Sequence, residues 1–379
     1  MKKSALALAV AAGLVGFGSA AYADTTLYGS ARVSVDYDEW DSDYVNVDGE
    51  LLRIRGGSDA WDVYNNASRL GVRGEEDLGG GLSAIYQMEF GVDVTEGGNL
   101  NSNRPKWVGL RGNSWGSVTA GTQWTPYYNV VGIGDIFNSS KVFDNRTYLG
   151  NTFGLRMDNS LIYSSPNWSG FGFQAMLVMN GSCPPGDPEV TSELCTRPGA
   201  ANNKLPSNLS DDIDMWNLSM SYKNGPFFVG ATYIALEGPS FDDTIIPTLP
   251  AWDGDQWAVA FGYNSGPFAV TLAYEQGDVN TLYRGDGENI YVTGQYTFGN
   301  NVIRGSYGYT TADDGQYDGL LADGTLVRYT QSDVNNWALG YQYNFSKRTR
   351  LWVEYIGQDV DSDLVGNRQA ISIGTRHDF

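Results

Sequence analysis

The second half of the chain alternates apolar side chains with small or polar ones at every second position. The pattern runs from residue 255 to 264, is broken by the Ser-Gly-Pro turn at 265–267, and resumes to residue 275. Alternation over ten residues predicts a β-strand, and two such runs joined by a tight turn predict a hairpin. Similar units occupy residues 216–233 and 337–355. The repeated unit of this sequence is therefore a β-hairpin.

Short turns alternate with long connections along the chain. Seven short turns imply eight strands running in each direction, which makes sixteen strands. About 22 residues are then available per strand and connection, enough for strands of roughly 9 to 11 residues with long loops on one rim, as in outer-membrane barrels. We predict an all-β fold, a 16-stranded antiparallel transmembrane β-barrel around an aqueous channel. The short turns fall near 77–81, 112–116, 167–170, 223–226, 264–267, 299–301 and 344–348.

Both ends of the chain agree with export to a membrane. Residues 1–23 carry Lys2 and Lys3, an apolar run, and a final Ala-Tyr-Ala, which predicts a signal peptide and a mature barrel domain at 24–379. The chain ends on Phe379 at the close of an alternating segment, with no polar tail. Such an ending suits a strand that closes a sheet in lipid, where every backbone N–H and C=O needs a partner.

Charge and composition narrow the class of protein. Without the signal peptide the chain has 22 basic and 44 acidic groups, a net charge of -22, which argues against a nucleic-acid partner. Aromatic residues at 13% and 48 glycines suit a barrel but also a large soluble β-sandwich or β-helix. Aromatic side chains at strand ends, such as Trp257 with Tyr263 and Trp337 with Tyr343, favour the two interfacial girdles of a membrane barrel.

Five segments, in order along the mature chain, resemble the trimeric porins of the Gram-negative outer membrane, of the neisserial type. They are DTTLYGSARV (24–33), SRLGVRGEEDLGGGLSAIYQME (68–89), WVGLRGNSWGSV (107–118), DNSLIYSSP (158–166) and GTRHDF (374–379). The resemblance implies a homotrimer that spans the outer membrane many times, with Phe379 as the C-terminal signal of the barrel. It also implies that the third extracellular loop, here about 125–155, folds into the lumen and narrows it.

In porins of this type, basic residues on the wall face acidic residues on the inward loop. If Leu70 and Val72 face lipid, the alternation of the strand turns Arg69 and Arg73 inward. The inward position is also favoured energetically, because an arginine facing lipid costs about 2 to 4 kcal/mol. An outward Trp107 would place Lys106 inside and Arg111 outside, and an outward Leu161 and Tyr163 would place Asp158 inside. The predicted constriction comprises Arg32, Arg69, Arg73, Arg104, Lys106 and Arg156 on the wall, with Asp135 and Asp144 on the loop.

The sequence departs from this family in features that bear on ion selectivity. Related porins usually carry an arginine where this chain has Thr122, and acidic runs such as 36–43 and 313–323 fall in or near expected extracellular loops. An acidic vestibule raises the local concentration of cations. We therefore expect a weak cation preference or near neutrality, and the anion preference of many relatives is not carried over.

The predicted function is general diffusion of ions and small hydrophilic solutes, with no cofactor and no metal. The alternative is a substrate-specific channel for an anion, an aromatic acid or a sugar, with a binding site at the constriction. Four loop aromatics could form a stacking track or simply pack the loop: Tyr127, Tyr128, Phe137 and Phe143. An enzyme is disfavoured because the only histidine, His377, lies in the closing strand. Outer-membrane lipid and lipopolysaccharide are the expected surroundings.

Cys183 and Cys195 are the only two cysteines, and both fall in one Pro- and Gly-rich stretch. In an oxidising export pathway two such cysteines are expected to form a disulfide. It would close the fourth long loop and stabilise it by roughly 3 kcal/mol.

Overall fold

The computed structural model describes residues 24–41, 44–47, 50–53, 59–97, 100, 104–141, 156–179, 213–236, 254–277, 287–320, 326–362 and 367–379. The predicted signal peptide, Asp144 and the two cysteines lie outside these ranges. None of the helices in the described ranges is long and apolar enough to cross a membrane. The strands are β1 (Asp24–Trp40), β2 (Tyr44–Val47), β3 (Glu50–Arg53), β4 (Asp59–Asn65), β5 (Arg69–Gly79), β6 (Leu82–Gly91), β7 (Lys106–Gly112), β8 (Gly116–Trp124), β9 (Arg156–Ser164), β10 (Phe171–Val178), β11 (Met215–Asn224), β12 (Phe227–Leu236), β13 (Gly254–Ser265), β14 (Phe268–Gly277), β15 (Gly287–Phe298), β16 (Asn301–Leu320), β17 (Leu326–Asn344), β18 (Thr349–Ser362) and β19 (Arg368–Asp378), with one helix, α1 (Pro126–Val131).

Seventeen of these strands form one antiparallel sheet that closes on itself. The first strand, β1, pairs with the last, β19, from Ser30 opposite Asp378 to Trp40 opposite Arg368. On its other edge β1 pairs with β5 over residues 24–30 and with β4 over residues 33–39, so β4 and β5 act as one interrupted strand. The wall is therefore a closed barrel of sixteen strands, as predicted, and β2 and β3 pair as a separate hairpin.

The last residue takes part in the closure of the barrel. The Phe379 N–H donates to the Gly29 carbonyl at 3.1 Å, and the Gly29 N–H donates to the Phe379 carbonyl at 3.0 Å. The phenyl ring occupies the space beside Gly29, where an added Cβ would lie 2.3 Å from a ring carbon. Gly29 thus leaves room for the ring, and the chain end is joined to the start of the barrel by two hydrogen bonds.

All seven short turns predicted from the sequence join consecutive strands of the barrel. Strand length is less uniform than predicted, because β16 and β17 contain 20 and 19 residues. Beyond Thr311 a register shift occurs, and from Gly315 to Leu320 β16 pairs with β17 while its pairing with β15 has ended at Ala312. This hairpin extends past its neighbours and carries part of the acidic run 313–323 with it.

The two faces of the sheet are inverted relative to a soluble protein. In β13, Trp257, Val259 and Phe261 are exposed whereas Gln256 and Ala260 are buried. Other strands repeat this arrangement, and charged or amide side chains are buried while aliphatic and aromatic ones are exposed. A soluble sandwich would bury its apolar face, so that alternative is wrong. The outer face is built for contact with lipid. Fully buried polar side chains include Asp36, Asn217, Gln256, Glu275 and Glu354.

An arginine at the centre of the exposed face should destabilise the barrel. Leu272 lies midway along β14 and is 44% exposed. Because this position faces hydrocarbon, Leu272→Arg should lower the free energy of unfolding by about 2 to 4 kcal/mol, whereas Leu272→Met should change it by less than about 1.5 kcal/mol. Urea titrations of the barrel in lipid vesicles, read by its gel mobility, measure both. Equal stability of the two variants would show that the exposed face does not contact lipid.

Candidate functional site

The connection that follows β8 begins with a short capped helix. The Thr125 hydroxyl accepts the Tyr128 N–H at 3.1 Å, and Pro126 occupies the start of the helix. A threonine N-cap followed by proline favours a helix start at this point. A 3-10 turn, Gly132–Gly134, continues the segment. A helix of six residues is not stable alone, so packing against the barrel must hold it.

That packing places α1 inside the barrel. Tyr127, Val130 and Val131 are buried against the inner face of the wall, which is the face that carries the buried polar side chains. Three methionines contribute to this apolar patch, and unbranched side chains of this kind fill irregular gaps. The patch consists of Met157, Ile162, Met176, Val178, Met215, Ile234, Leu236, Ala258, Ala260 and Ala273.

Two buried carboxylates of the wall anchor the segment after β8. The Tyr127 hydroxyl donates to Glu275 at 2.9 Å. Further along, the backbone N–H groups of Asn138 and Ser139 donate to Glu354 at 2.9 and 2.8 Å. Each carboxylate is completely buried, and charge-assisted hydrogen bonds of this kind are strong. The segment is thus attached to β14 at one point and to β18 at the other.

The far end of the segment reaches the opposite side of the barrel. The Ser140 N–H donates to the Asn66 side chain at 2.8 Å, at the interruption between β4 and β5. The Lys141 ammonium lies 2.7 Å from Asp38 of β1, which also pairs with Arg368 at 2.9 Å. Residues 125–141 therefore cross the interior from β8 to β1. The remainder of the predicted inward loop, 142–155, lies outside the described residues.

The aromatic side chains of this segment pack rather than form a track. Phe137 lies against Ala338, Ile356 and Ala370 of the inner wall. Tyr127 is buried in the apolar patch, and the Tyr128 ring stacks on Trp124 with centroids 4.4 Å apart. Phe143 lies outside the described residues. Of the two uses predicted for these side chains, packing fits the described ones.

Two of the predicted wall arginines share one carboxylate on β6. Arg69 lies 3.7 Å and Arg104 3.5 Å from Glu89, and the Tyr28 hydroxyl donates to the same carboxylate at 3.0 Å. Arg104 also donates to the Ala67 carbonyl at 3.0 Å. Glu89 is on the inner face, so Arg69 lies inside, as alternation with Leu70 and Val72 predicts. Arg104 also lies beside Glu89, but not for the predicted reason, because that prediction takes Trp107 as outward and Arg104 precedes the first residue of β7.

Arg32 lies in a row with two arginines that were not among the predicted site residues, Arg350 and Arg376. It lies directly opposite Arg376, which lies opposite Arg350, on the adjacent strands β1, β19 and β18. Asp378 accepts from Arg350 and from Arg376, each at 2.7 Å, whereas Arg32 donates to Ser30 at 2.9 Å. With Arg69 and Arg104 at Glu89, four guanidinium groups share two carboxylates, and Arg32 is a fifth that pairs with neither. The alternation in β19 already placed Arg376 on the face away from lipid and could have identified it.

The structure contradicts the predicted orientation of β7. Lys106 pairs with Met88 and lies over the Phe90 ring at 5.0 Å, on the face where Val108 is 60% exposed. Lys106 therefore lies on the outer face. Trp107 and Arg111 face inward, and Arg111 forms an ion pair with Glu75. The prediction fails because it takes Trp107 as facing outward, although the polar N–H of tryptophan also suits a water-filled lumen.

A register slip between β8 and β9 changes the face of the sheet on which the first side chains of β9 lie. The pairing of β8 with β9 shifts between Gly121 and Gln123, where Gly121 has a φ of +134°, a value that favours glycine. Asp158 accepts from the Thr122 hydroxyl at 2.8 Å, and Thr122 is opposite Lys106, so Asp158 lies outside rather than inside as predicted. Strict alternation cannot anticipate such a slip.

The remaining predicted site residues lie beside the crossing segment or on the open wall. The Arg156 guanidinium lies 4.6 Å from the centroid of Trp124, the residue on which Tyr128 stacks. Asp135 is exposed and accepts the Tyr128 hydroxyl at 3.0 Å. Arg73 is exposed on the inner face, over the Tyr28 ring at 5.2 Å. Within the described ranges, no three His, Cys, Asp or Glu side chains are grouped so as to hold a metal.

Comparisons with known proteins agree with this geometry. The sequence profile of the Gram-negative porin family matches residues 5–363. The chain is 29% identical to a major outer membrane protein P.IB of Neisseria gonorrhoeae, over 93% of this chain and 92% of that protein. It is 27% identical to an outer membrane porin protein of Bordetella pertussis, over the whole of both chains.

Solved structures share the fold. An anion-selective porin from Comamonas acidovorans superposes with a TM-score of 0.64 at 20% identity, covering 94% of this chain and all of that one. The trimer form of OmpT, an outer membrane protein of Vibrio cholerae, superposes with a TM-score of 0.60 at 15% identity, covering 94% of this chain and 99% of that one. At these identities the likeness establishes the barrel architecture.

Loosening the anchor at Glu354 should free the crossing segment. A glutamine at this position keeps the shape but can accept hydrogen bonds through one oxygen, while its NH2 group faces the Asn138 and Ser139 donors. Each lost hydrogen bond to the carboxylate should cost about 1.5 to 3 kcal/mol. Glu354→Gln should therefore increase the current noise and the conductance of single channels in planar bilayers. The control is Glu288→Gln, at an exposed position on β15. Recordings identical to wild type would show that this anchor does not position the segment.

Proposed function

Because the chain belongs to the Gram-negative porin family and is an outer-membrane diffusion channel rather than an enzyme, we propose that its function rests on an electrostatic filter inside the barrel. Ions and small hydrophilic solutes cross the aqueous lumen down their concentration gradients. The process involves no covalent step and no cofactor. Selection depends on the width of the open lumen and on the charges that line it.

The width is set by the segment that crosses the interior. Its attachment to Glu275, Glu354 and Asp38 is the observation that carries the proposal, because a segment fixed on several sides of the barrel leaves a passage of constant size. The apolar patch beneath α1 fills the wall on the other side of the segment. General diffusion is favoured over a substrate-specific channel because the described aromatic side chains of the segment are used in packing.

The electric field of the filter arises between charged side chains on the barrel wall and charged side chains on the crossing segment. The arginines surround Glu89 and Asp378, two carboxylates that balance only part of their charge, and in the proposed arrangement the acids of the inward loop complete the filter. A fixed transverse field of this kind orients and sorts solutes that must pass in single file. Lys106 has no part in it. The proposed filter consists of Arg32, Arg69, Arg73, Arg104 and Arg156 on the wall with Asp135 on the segment and Asp144 in the part of the loop beyond the described residues.

The basic row and the acidic outer connections act on ions in opposite directions. The arginines attract anions within the lumen, whereas the acidic run 313–323 and the net charge of the chain attract cations at its mouth. We therefore propose selectivity close to neutral. Salt should weaken both contributions, because the Debye length falls to about 8 Å at physiological ionic strength.

The assembly that we propose is a homotrimer in the outer membrane, in contact with lipid and lipopolysaccharide. Family membership supports it, and so does the outer face of β7 to β9. Lys106, Thr122 and Asp158 lie on this face, where contact with hydrocarbon would be costly. A neighbouring subunit would cover these side chains.

The two cysteines support a further prediction about the mature protein. We propose that Cys183 and Cys195 form a disulfide in the exported chain, after removal of residues 1–23. Peptide mapping of protein from the outer membrane, without reductant, should give the two cysteines in one cross-linked species. Two free thiols that react with maleimide before reduction would contradict the pairing.

Neutralising arginines of the filter should shift selectivity toward cations. Arg32 has no carboxylate partner among the described residues, so Arg32→Gln removes positive charge without leaving an acid unpaired. Combined with Arg69→Gln, it should lower the chloride-to-potassium permeability ratio by about twofold or more. Reversal potentials in a potassium chloride gradient measure this ratio.

The matched control is Lys347→Gln/Arg348→Gln, in the short turn between β17 and β18, where both side chains are exposed at the rim. This variant loses the same charge outside the filter and should keep the wild-type ratio. An Arg32→Gln/Arg69→Gln channel with an unchanged reversal potential would mean that these arginines do not act on the permeating ions.

A further inference from the structure

An open cavity lies on the inner wall at the rim of the short turns, away from the crossing segment. It has a volume of about 880 Å3 and is lined by β1, β5, β6 and β7. The strand register places Thr26, Arg73, Gln87 and Trp107 in one row across these strands. Paired side chains on adjacent strands are about 5 Å apart. Arg73 and Trp107 therefore lie about 10 Å apart on either side of Gln87.

The guanidinium group of Arg73 is held in place but not neutralised. It lies 5.2 Å from the centroid of Tyr28. Tyr28 is fixed from both sides, since Gln87 donates to its hydroxyl at 2.8 Å and the hydroxyl donates to Glu89 at 3.0 Å. Among the described residues, no carboxylate lies within ion-pair distance of Arg73 and no acceptor takes its N–H groups. Arg111, in the same cavity, is already paired with Glu75.

Trp107 offers a second unused group in the same row. Its indole is half-buried, and its N–H has no acceptor among the residues that the structure describes. The next row toward the rim places Ile85 opposite Gly109, so the wall beside Trp107 presents an aliphatic side chain and a bare backbone. The cavity therefore combines one free guanidinium with an apolar, partly aromatic surface.

We propose that this cavity is a weak binding site for aromatic monocarboxylates. The carboxylate would pair with Arg73, and the ring would lie against Trp107 and Ile85, where a planar group fits the spacing of the row. Three acids line the rim side of the cavity, Asp24, Glu75 and Asp77. They disfavour a second negative charge, so a single carboxylate is the preferred form. This inference rests on the proposed function, because the solute must enter through the open channel.

Titration of channel conductance tests the site. Benzoate is added to wild-type channels in planar bilayers in dilute potassium chloride, and the conductance is followed against benzoate concentration. We expect a saturable decrease, with half-effect at a concentration at least about tenfold lower than for acetate, which has the charge without the ring, or benzyl alcohol, which has the ring without the charge.

Two variants test separately the residue proposed to bind the carboxylate and the residue proposed to contact the ring. Arg73→Gln should weaken the benzoate effect about tenfold, and Trp107→Leu about fivefold, each measured as a fraction of that variant's own conductance without benzoate. Arg348→Gln, which removes an arginine from a short turn elsewhere on the rim, should leave the benzoate effect unchanged.

Failure of the binding site and failure of the proposed channel function give different results. Wild-type channels that conduct potassium chloride but show no saturable benzoate effect would overturn the site alone. An Arg73→Gln channel with the full benzoate effect would do the same. Wild-type protein that forms no ion-conducting channel would overturn the proposed function together with the site.

Discussion

The structure depends on one constraint, that each backbone N–H and C=O within hydrocarbon must have a hydrogen-bond partner. An open sheet cannot meet this condition, because its two edge strands keep unpaired groups. This chain meets it by pairing β1 with β19 over eleven positions and by joining its final residue, Phe379, to Gly29 through two hydrogen bonds. Once the sheet is closed, alternate side chains necessarily point to lipid and to water. The inverted burial of the strands follows directly.

The same closure makes a polar interior possible, and the interior positions the functional site. Buried acids would be costly in an apolar core, but on the inner wall they accept hydrogen bonds from the crossing segment. Glu275 and Glu354 hold that segment at two separated points, and the remaining inner surface carries the arginines. Structural anchoring and solute filtering thus use charges on the same face. The wall near Arg73 and Trp107 lies outside the anchored region, which leaves their hydrogen-bond donors available to solutes.

Much of the fold could be predicted because it depends on local patterns. Turn residues and two-residue alternation were sufficient for the seven short turns, the sixteen strands and the inward position of Arg69. Predictions from alternation were wrong where a single residue decides which face of a strand points to lipid. Trp107 suits either a membrane interface or a lumen, and the wrong choice inverted Lys106 and Arg111. The slip at Gly121 changed the side on which Asp158 lies. The contact of Asn138 with Glu354 joins residues 216 positions apart, and no local pattern encodes it.

The central claim is that successive side chains of each strand face lipid and water in turn. Spin labels attached singly at residues 292–296 of β15, in a variant with serine at both cysteine positions, test it in lipid vesicles. Collision rates with oxygen, which dissolves in lipid, should peak at positions 292, 294 and 296. Collision rates with a water-soluble nickel complex should be higher at 293 and 295 than at these positions. Rates that change smoothly along the five positions, without this alternation, would contradict the account.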